Sequence, residues 1–214
     1  MKGGPRYRVP LRRRREGKTN YGKRFALLLG GKTRMVFRRT NRYVVVQFID
    51  FDLKGDRVVA SAHSRELFKL YGWKGDGKST CAAYLTGLLA GARLLQKGGR
   101  EAVLDLGLLK PSPGSRAFAA LKGALDAGVR IPHGDGILPG PERIRCEHVA
   151  AYAAQLRQER PEAFKRLFSQ LASRIDPAEL PKHFDEVLEK IKADYKAVLQ
   201  AMATEPQTGE VTEE

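Results

Sequence analysis

Fifteen of the first 42 residues are Lys or Arg and only Glu16 is acidic, so this stretch carries +14 of the chain's formal +15. The remaining residues balance 24 basic side chains against 23 acidic ones. A segment charged so densely with one sign cannot enter a core without stripping water from every cation. The sequence therefore divides into a basic arm and a nearly neutral body. The arm calls for a polyanionic partner, of which nucleic acid is the commonest. A membrane surface would ask for an apolar face as well, and residues 7–18 offer none, so no membrane partner is expected.

The body has the means to fold. Of 214 residues 42% are hydrophobic, enough for one domain with an appendage or for two small ones. No apolar run approaches the roughly 20 residues of a spanning helix. The opening MKGGPRYRVPLRRRR lacks the apolar centre of a secretory signal, so a cytoplasmic location is expected. Cys81 and Cys146 read as two free thiols in a reducing setting rather than as a disulfide framework.

Residues 1–16 read as an extended arm. Gly3, Gly4, Pro5 and Pro10 oppose a helix, and Arg12, Arg13, Arg14 and Arg15 repel one another until phosphates neutralise them, so the free arm is expected to be disordered. From Thr19 or Asn20 a helix is expected, with Tyr21, Phe25, Leu28 and Leu29 at helical spacing and Gly30–Gly31 ending it. Residues 34–39 alternate as a strand, Met35 and Phe37 on one face and Arg34, Val36 and Arg38 on the other. Residues 43–51, β-branched and aromatic, read as a central strand, and residues 57–62 as a third in an antiparallel meander. The turn between the first two strands carries Arg38, Arg39, Asn41 and Arg42 near the arm, while Asp52 and Asp56 read as turn residues.

Beyond the meander, residues 64–71 read as a short helix and residues 72–78 as a glycine-rich loop. A long helix over 79–97, with Cys81, Tyr84, Leu85, Leu88, Leu89, Ala92 and Leu95 as its one buried stripe, a short strand over 102–106 and a helix ending at Gly128 follow. From Arg143 the periodicity is only helical. Pro161 marks a helix start, Asp176-Pro177-Ala178-Glu179 a capped one, and a last helix is expected over 182–202. The expectation is an α/β fold, a mixed sheet with packed helices, with a basic N-terminal extension and a helical C-terminal appendage. Its parts would be residues 1–33 (arm and first helix), 34–144 (core), 145–202 (helical region) and 203–214 (acidic flexible tail).

Four chemistries compete for the function. Gly72-Trp-Lys-Gly-Asp-Gly-Lys78-Ser79 matches the phosphate-loop pattern of nucleotide hydrolases letter for letter, with Asp105 as a candidate magnesium-side acid. That motif requires a strand running into the loop, and residues 66–71 read as helix. Asp50, Asp52, Glu66 and Asp105 are the carboxylates a two-metal nuclease would need. His63, Cys81, Cys146 and His148 hold zinc-type atoms without the paired close spacing of a structural site. The fourth chemistry is RNA binding. The cations of the arm give phosphate contacts, Tyr7 and the guanidinium planes stack on unpaired bases, and Lys74 and Lys78 in the glycine-rich loop meet further phosphates.

The segments RYRVPLRRRREGKTNYGKR (6–24), RRTNRYVVVQFIDFDLKGD (38–56), SAHSRELFKLYGWKG (61–75), AAYLTGLLAGARLLQKG (82–98), AVLDLGLLKP (102–111) and AFAALKGALDAGVRIPHGDGILPGPERI (117–144) decide among them. In this order they closely resemble the archaeal and eukaryotic large-subunit ribosomal proteins of the L-eighteen family, called L-five in eukaryotes. The resemblance covers about residues 5–150. It implies a non-enzymatic structural protein that binds 5S ribosomal RNA and helps attach it to the large-subunit RNA in the central protuberance. A neighbouring 5S-binding ribosomal protein would be a further partner; no cofactor, no metal and no homo-oligomer are expected. It also implies that Arg6, Arg8, Arg12, Arg13, Arg14, Arg15, Lys18, Lys23 and Arg24 meet RNA, with Tyr21 and Asn41. Where the family usually has Asn before AAYLTG, this chain has Lys78-Ser79, which is what creates the phosphate-loop match. An assembly factor that borrows the ribosomal fold is the remaining alternative.

Overall fold

The structure is a computed structural model that describes residues 4, 5, 7–197 and 199. Arg6, the acidic segment 203–214, and Val198 and Met202 of the expected last helix lie outside the described residues.

Strands β1 (Arg34–Arg39), β2 (Val44–Asp50) and β3 (Arg57–His63) form the antiparallel meander, and β4 (Val103–Asp105) joins β1 in parallel, giving the order β3-β2-β1-β4. The fold is the mixed α/β one expected. Met35 lies opposite Phe48, Phe37 opposite Val46, and Val46 opposite Ala62, so the large apolar side chains of three strands share one face. Strand alternation alone produces that sorting, because residues two apart point the same way.

Helix α4 (Thr80–Gln96) lies on that face. It was expected to bury one stripe, yet every residue from Cys81 to Leu95 except Arg93 is buried. The reason is a second layer: α5 (Arg116–Asp126) covers the side of α4 away from the sheet. The two backbones touch at glycines. A Cβ on Gly87 would fall 2.8 Å from the Cα of Ala120, and one on Gly123 would fall 2.8 Å from the Leu88 nitrogen.

The rest of the chain is helical. α3 (Ser64–Leu70) follows β3 directly; α6 (Pro141–Ile144), α7 (Glu147–Glu159), α8 (Pro161–Ala172) and α9 (Leu180–Asp194) make up the C-terminal part. Asp176 accepts the Ala178 N–H as expected of a cap, though what it opens is one 3-10 turn leading into α9. Phe184, Val187 and Ile191 of α9 belong to the same buried cluster as the sheet, with Phe184 against Tyr84 at 5.8 Å between ring centres.

One expectation fails. Cys81, in the first turn of α4, and Cys146, at the corner between α6 and α7, form a disulfide across 6.2 Å between Cα atoms. Sixty-five positions separate them, so their spacing gave no hint; folding of α6 and α7 onto the start of α4 brings them together. Cys146 also sits at φ 63°, a left-handed conformation that costs a non-glycine residue energy and that the bridge holds in place. For a closed loop of this length, chain entropy alone makes the bridge worth about 4 kcal/mol. A Cys81→Ser, Cys146→Ser chain is therefore expected to unfold at markedly lower urea than the oxidised protein. Equal midpoints would mean that the bridge leaves the unfolded chain unconstrained.

Candidate nucleic-acid interface

Part of the arm has local structure. Arg12–Arg15 wind into a single helical turn, α1, instead of the extended chain expected. Pro10 precedes the turn, where its missing N–H costs nothing, and the Leu11 carbonyl accepts from Arg14 and Arg15. Glu16, the only acid of the segment, accepts from Lys18 at 2.9 Å and lies 3.8 Å from Arg12, which offsets part of the repulsion. Arg13 donates to Thr19 at 2.9 Å.

Helix α2 (Tyr21–Leu29) then starts where expected, capped by Asn20 accepting the Lys23 N–H. None of its residues is buried, and Phe25 and Leu29 are exposed. What ties it to the domain is charge. Arg24 donates to one oxygen of Asp56 at 2.7 Å, and Arg34 donates to the other at 2.7 Å. Arg34, only 2% exposed, also donates to Asp105 at 3.0 Å, and Arg38 donates to the Asp105 carbonyl at 3.1 Å. Cations and carboxylates thus alternate from α2 across the outer face of the sheet. Asp56, expected to serve only a turn, is the pivot of this latch. Partial burial pushes its carboxyl up, but hydrogen bonds from Arg24 and Arg34 outweigh that and hold it below the ordinary value of 3.8. Its share of the latch is therefore complete above pH 3.8 and fades as pH falls through the lower folded-state value.

The expected RNA-contacting residues separate into groups. Tyr7, Arg8, Arg12, Arg13, Arg14, Arg15, Lys18 and Lys23 are exposed along the arm and α2. Arg13, Lys18, Tyr21, Lys23, Arg24 and Arg38 line a cleft of about 480 Å³ between arm and sheet. Asn41 and Arg42 are exposed at the tip of the β1–β2 turn, which Thr40 closes by accepting the Tyr43 N–H. Arg38 and Arg39, neighbours in sequence, face opposite sides of the sheet, because strand residues alternate. Arg39 joins Lys78 in a cleft on the helix side, while Lys74 lines another with Arg174 and Lys182. Two features went unsingled in the sequence. Arg34 was placed on a strand face but not as a buried ion-pair hub. Lys110, Arg116 and Arg143, scattered along the chain, share the cleft of Arg39 and Lys78.

The competing chemistries lose their geometry. The loop after α3 has no strand leading into it, and it is closed around its own indole. Trp73 is 2% exposed, its ring fills the space a Cβ on Gly75 would need, and it donates to the Asp76 carbonyl at 3.3 Å. The Lys74 N–H donates to His183, whose ring stacks on Trp73 at 5.4 Å. The loop therefore lacks the strand-to-loop-to-helix approach that a phosphate loop needs, and an indole fills its middle. The four carboxylates are spent separately. Asp50 accepts from Thr33 and Asp52 from the Lys54 N–H; Glu66 pairs with Arg93, and Asp105 with Arg34. Of the zinc-type residues, Cys81 and Cys146 are in the disulfide, His63 caps α3 by accepting the Arg65 N–H, and His148 sits in α7 near Arg143. Among the described residues no group of three His, Cys, Asp or Glu is placed to hold a metal ion, and no helix is long and apolar enough to cross a membrane.

Known proteins agree with the surviving reading. The profile of the family described as ribosomal large subunit proteins 60S L5 and 50S L18 matches residues 5–103 and 98–134. The chain is 60% identical to the large ribosomal subunit protein uL18 of Aeropyrum pernix, over 99% of both chains. It is 53% identical to that of Ignicoccus hospitalis, over 92% of this chain and 96% of the relative. To that of Sulfurisphaera tokodaii it is 54% identical, over 90% and 98%. A family profile over more than half of the chain and relatives at 53–60% identity over nearly its whole length show it plainly: the chain belongs to the L5/L18 family of large-subunit ribosomal proteins.

Proposed function

We propose that the chain binds 5S ribosomal RNA and helps attach it to the large-subunit RNA in the central protuberance, beside a neighbouring 5S-binding ribosomal protein. The observation that carries this reading is the latched arm: a row of exposed cations whose position relative to the sheet is held by Arg24, Asp56 and Arg34. Cations on a floating tail bind any polyanion; cations held at fixed spacing favour one shape of phosphate backbone. Arg8, Arg12–Arg15, Lys18 and Lys23 supply phosphate contacts, Tyr7 and Tyr21 stacking, and Asn41 and Arg42 a second contact at the sheet end.

The test is competition. The full chain is expected to bind a 5S RNA transcript in the presence of excess transfer RNA, and Asp56→Asn is expected to weaken that preference more than it weakens total RNA binding. Equal competition by transfer RNA would remove the 5S assignment. Stoichiometric recovery of the chain in mature large subunits separates a structural component from an assembly factor.

A further inference from the structure

The cleft on the helix side of the sheet is the most strongly charged feature that the arm does not explain. It encloses about 770 Å³ between Arg39 at the end of β1, residues 78–80 entering α4, residues 110–116 entering α5, and Arg143 in α6. Five cations line it, Arg39, Lys78, Lys110, Arg116 and Arg143, against one carboxylate, Asp76. Among the described residues none of the five is in an ion pair; Arg116 donates only to the Lys78 carbonyl, at 3.2 Å. Unpaired cations converging on one concavity repel one another, and an anion relieves that repulsion. His148 adds no charge at neutral pH, since burial and the nearby Arg143 lower its pKa from 6.5.

The fold places the cleft well. Strands β1, β3 and β4 run the same way, and their carboxyl ends meet this edge, the side of an open α/β sheet where ligands seat. Ser115 leaves the start of α5 without a side-chain cap, so its N–H groups supplement the cations. Of the two aromatic rings in the lining, Phe37 is 1% exposed and offers no surface to a base, while His148 is exposed and does. With five cations and a single exposed ring, the cleft is suited mainly to phosphates and sugars.

We propose that this cleft seats the sugar–phosphate backbone of a ribosomal RNA strand. It would be a second anchor, on the opposite side of the sheet from the arm, and the proposal rests on the RNA-binding reading above. A chain gripping RNA on both sides of its sheet ties two RNA segments together, where an arm alone would hold one.

The experiment places a photo-cross-linking amino acid at Ser112, on the cleft rim, and in a separate full-length chain at Lys18, on the arm, each assembled into large subunits. RNA cross-links from both positions are the expected result. RNA from Lys18 with only protein or nothing from Ser112 overturns the second anchor and leaves the arm reading intact. RNA from Ser112 alone keeps the anchor and removes the arm, and no RNA from either removes both. Arg39→Gln with Arg143→Gln, two side chains in no ion pair among the described residues, is expected to cut the Ser112 cross-link several-fold and spare that of Lys18. Labelling of the cleft by photoreactive ATP, in place of RNA, would overturn the proposal in favour of a mononucleotide site.

Discussion

Affinity of the full chain for a 5S RNA transcript is expected to fall about 10³–10⁵-fold between 50 and 200 mM salt. That loss corresponds to about 6–10 phosphate contacts, each releasing counterions from the RNA. The exposed cations of the arm and α2 are numerous enough to supply them. Their contributions are not equal. Among the described residues Arg14 and Arg15 have no acidic partner, whereas Arg12 and Lys18 already share Glu16. Arg14→Gln and Arg15→Gln should each lower the slope of log affinity against log salt by about 0.9. Arg24→Gln acts differently, because it also opens the latch to Asp56, and it should weaken binding by more than one contact's worth. A salt titration without slope would show that the arm does not carry the affinity.

The second large effect is on folding. Gly123→Ala is expected to destabilise the domain by about 3 kcal/mol, through overpacking that ordinarily costs 1–3 and occasionally more. The added methyl would meet the backbone of α4 at Leu88 and Tyr84, and backbone cannot swing aside as a side-chain tip can. Gly87→Ala meets the backbone of Ala120 from the other helix and should behave alike. In α2 the same change has the opposite sign: at exposed Gly22 the nearest heavy atom is the Asn20 side-chain oxygen at 3.4 Å, and Ala should gain about 0.5–1 kcal/mol of helix propensity. Urea unfolding of the variants checks the contrast. A Gly123→Ala protein as stable as the parent would mean that α4 and α5 do not touch as described.

Much of this was legible in the sequence where local physics decides. Period-two alternation placed β1, β-branched and aromatic composition placed β2, and the turn before it placed β3, each within a residue or two; Asn20 announced the start of α2, and Pro161 that of α8. What stayed hidden was decided by distant residues. Nothing near Asp56 says that Arg24 and Arg34 will meet it, and nothing around Cys81 points to Cys146. The stripe assigned to α4 was too narrow because the second covering layer, α5, has no local signature in α4 itself. The phosphate-loop match failed for a local reason that was visible, the bulky Trp73 inside it. The grouping of Arg38 with Arg39 likewise overlooked the alternation already recognised in that strand.

The disulfide also sets an order of events during synthesis. At about 5–20 residues per second, Cys146 is added roughly 3–13 s after Cys81. At its start the arm and strands β1 to β3 are already made, β4 and the rest of α4 follow within it, and the partner thiol does not yet exist. The basic arm is thus free to find RNA before the bridge can close. The wall of the second cleft that contains Arg143 and Cys146 is completed only afterwards. Oxidation then acts as a late lock, set once the C-terminal helices have settled onto the start of α4.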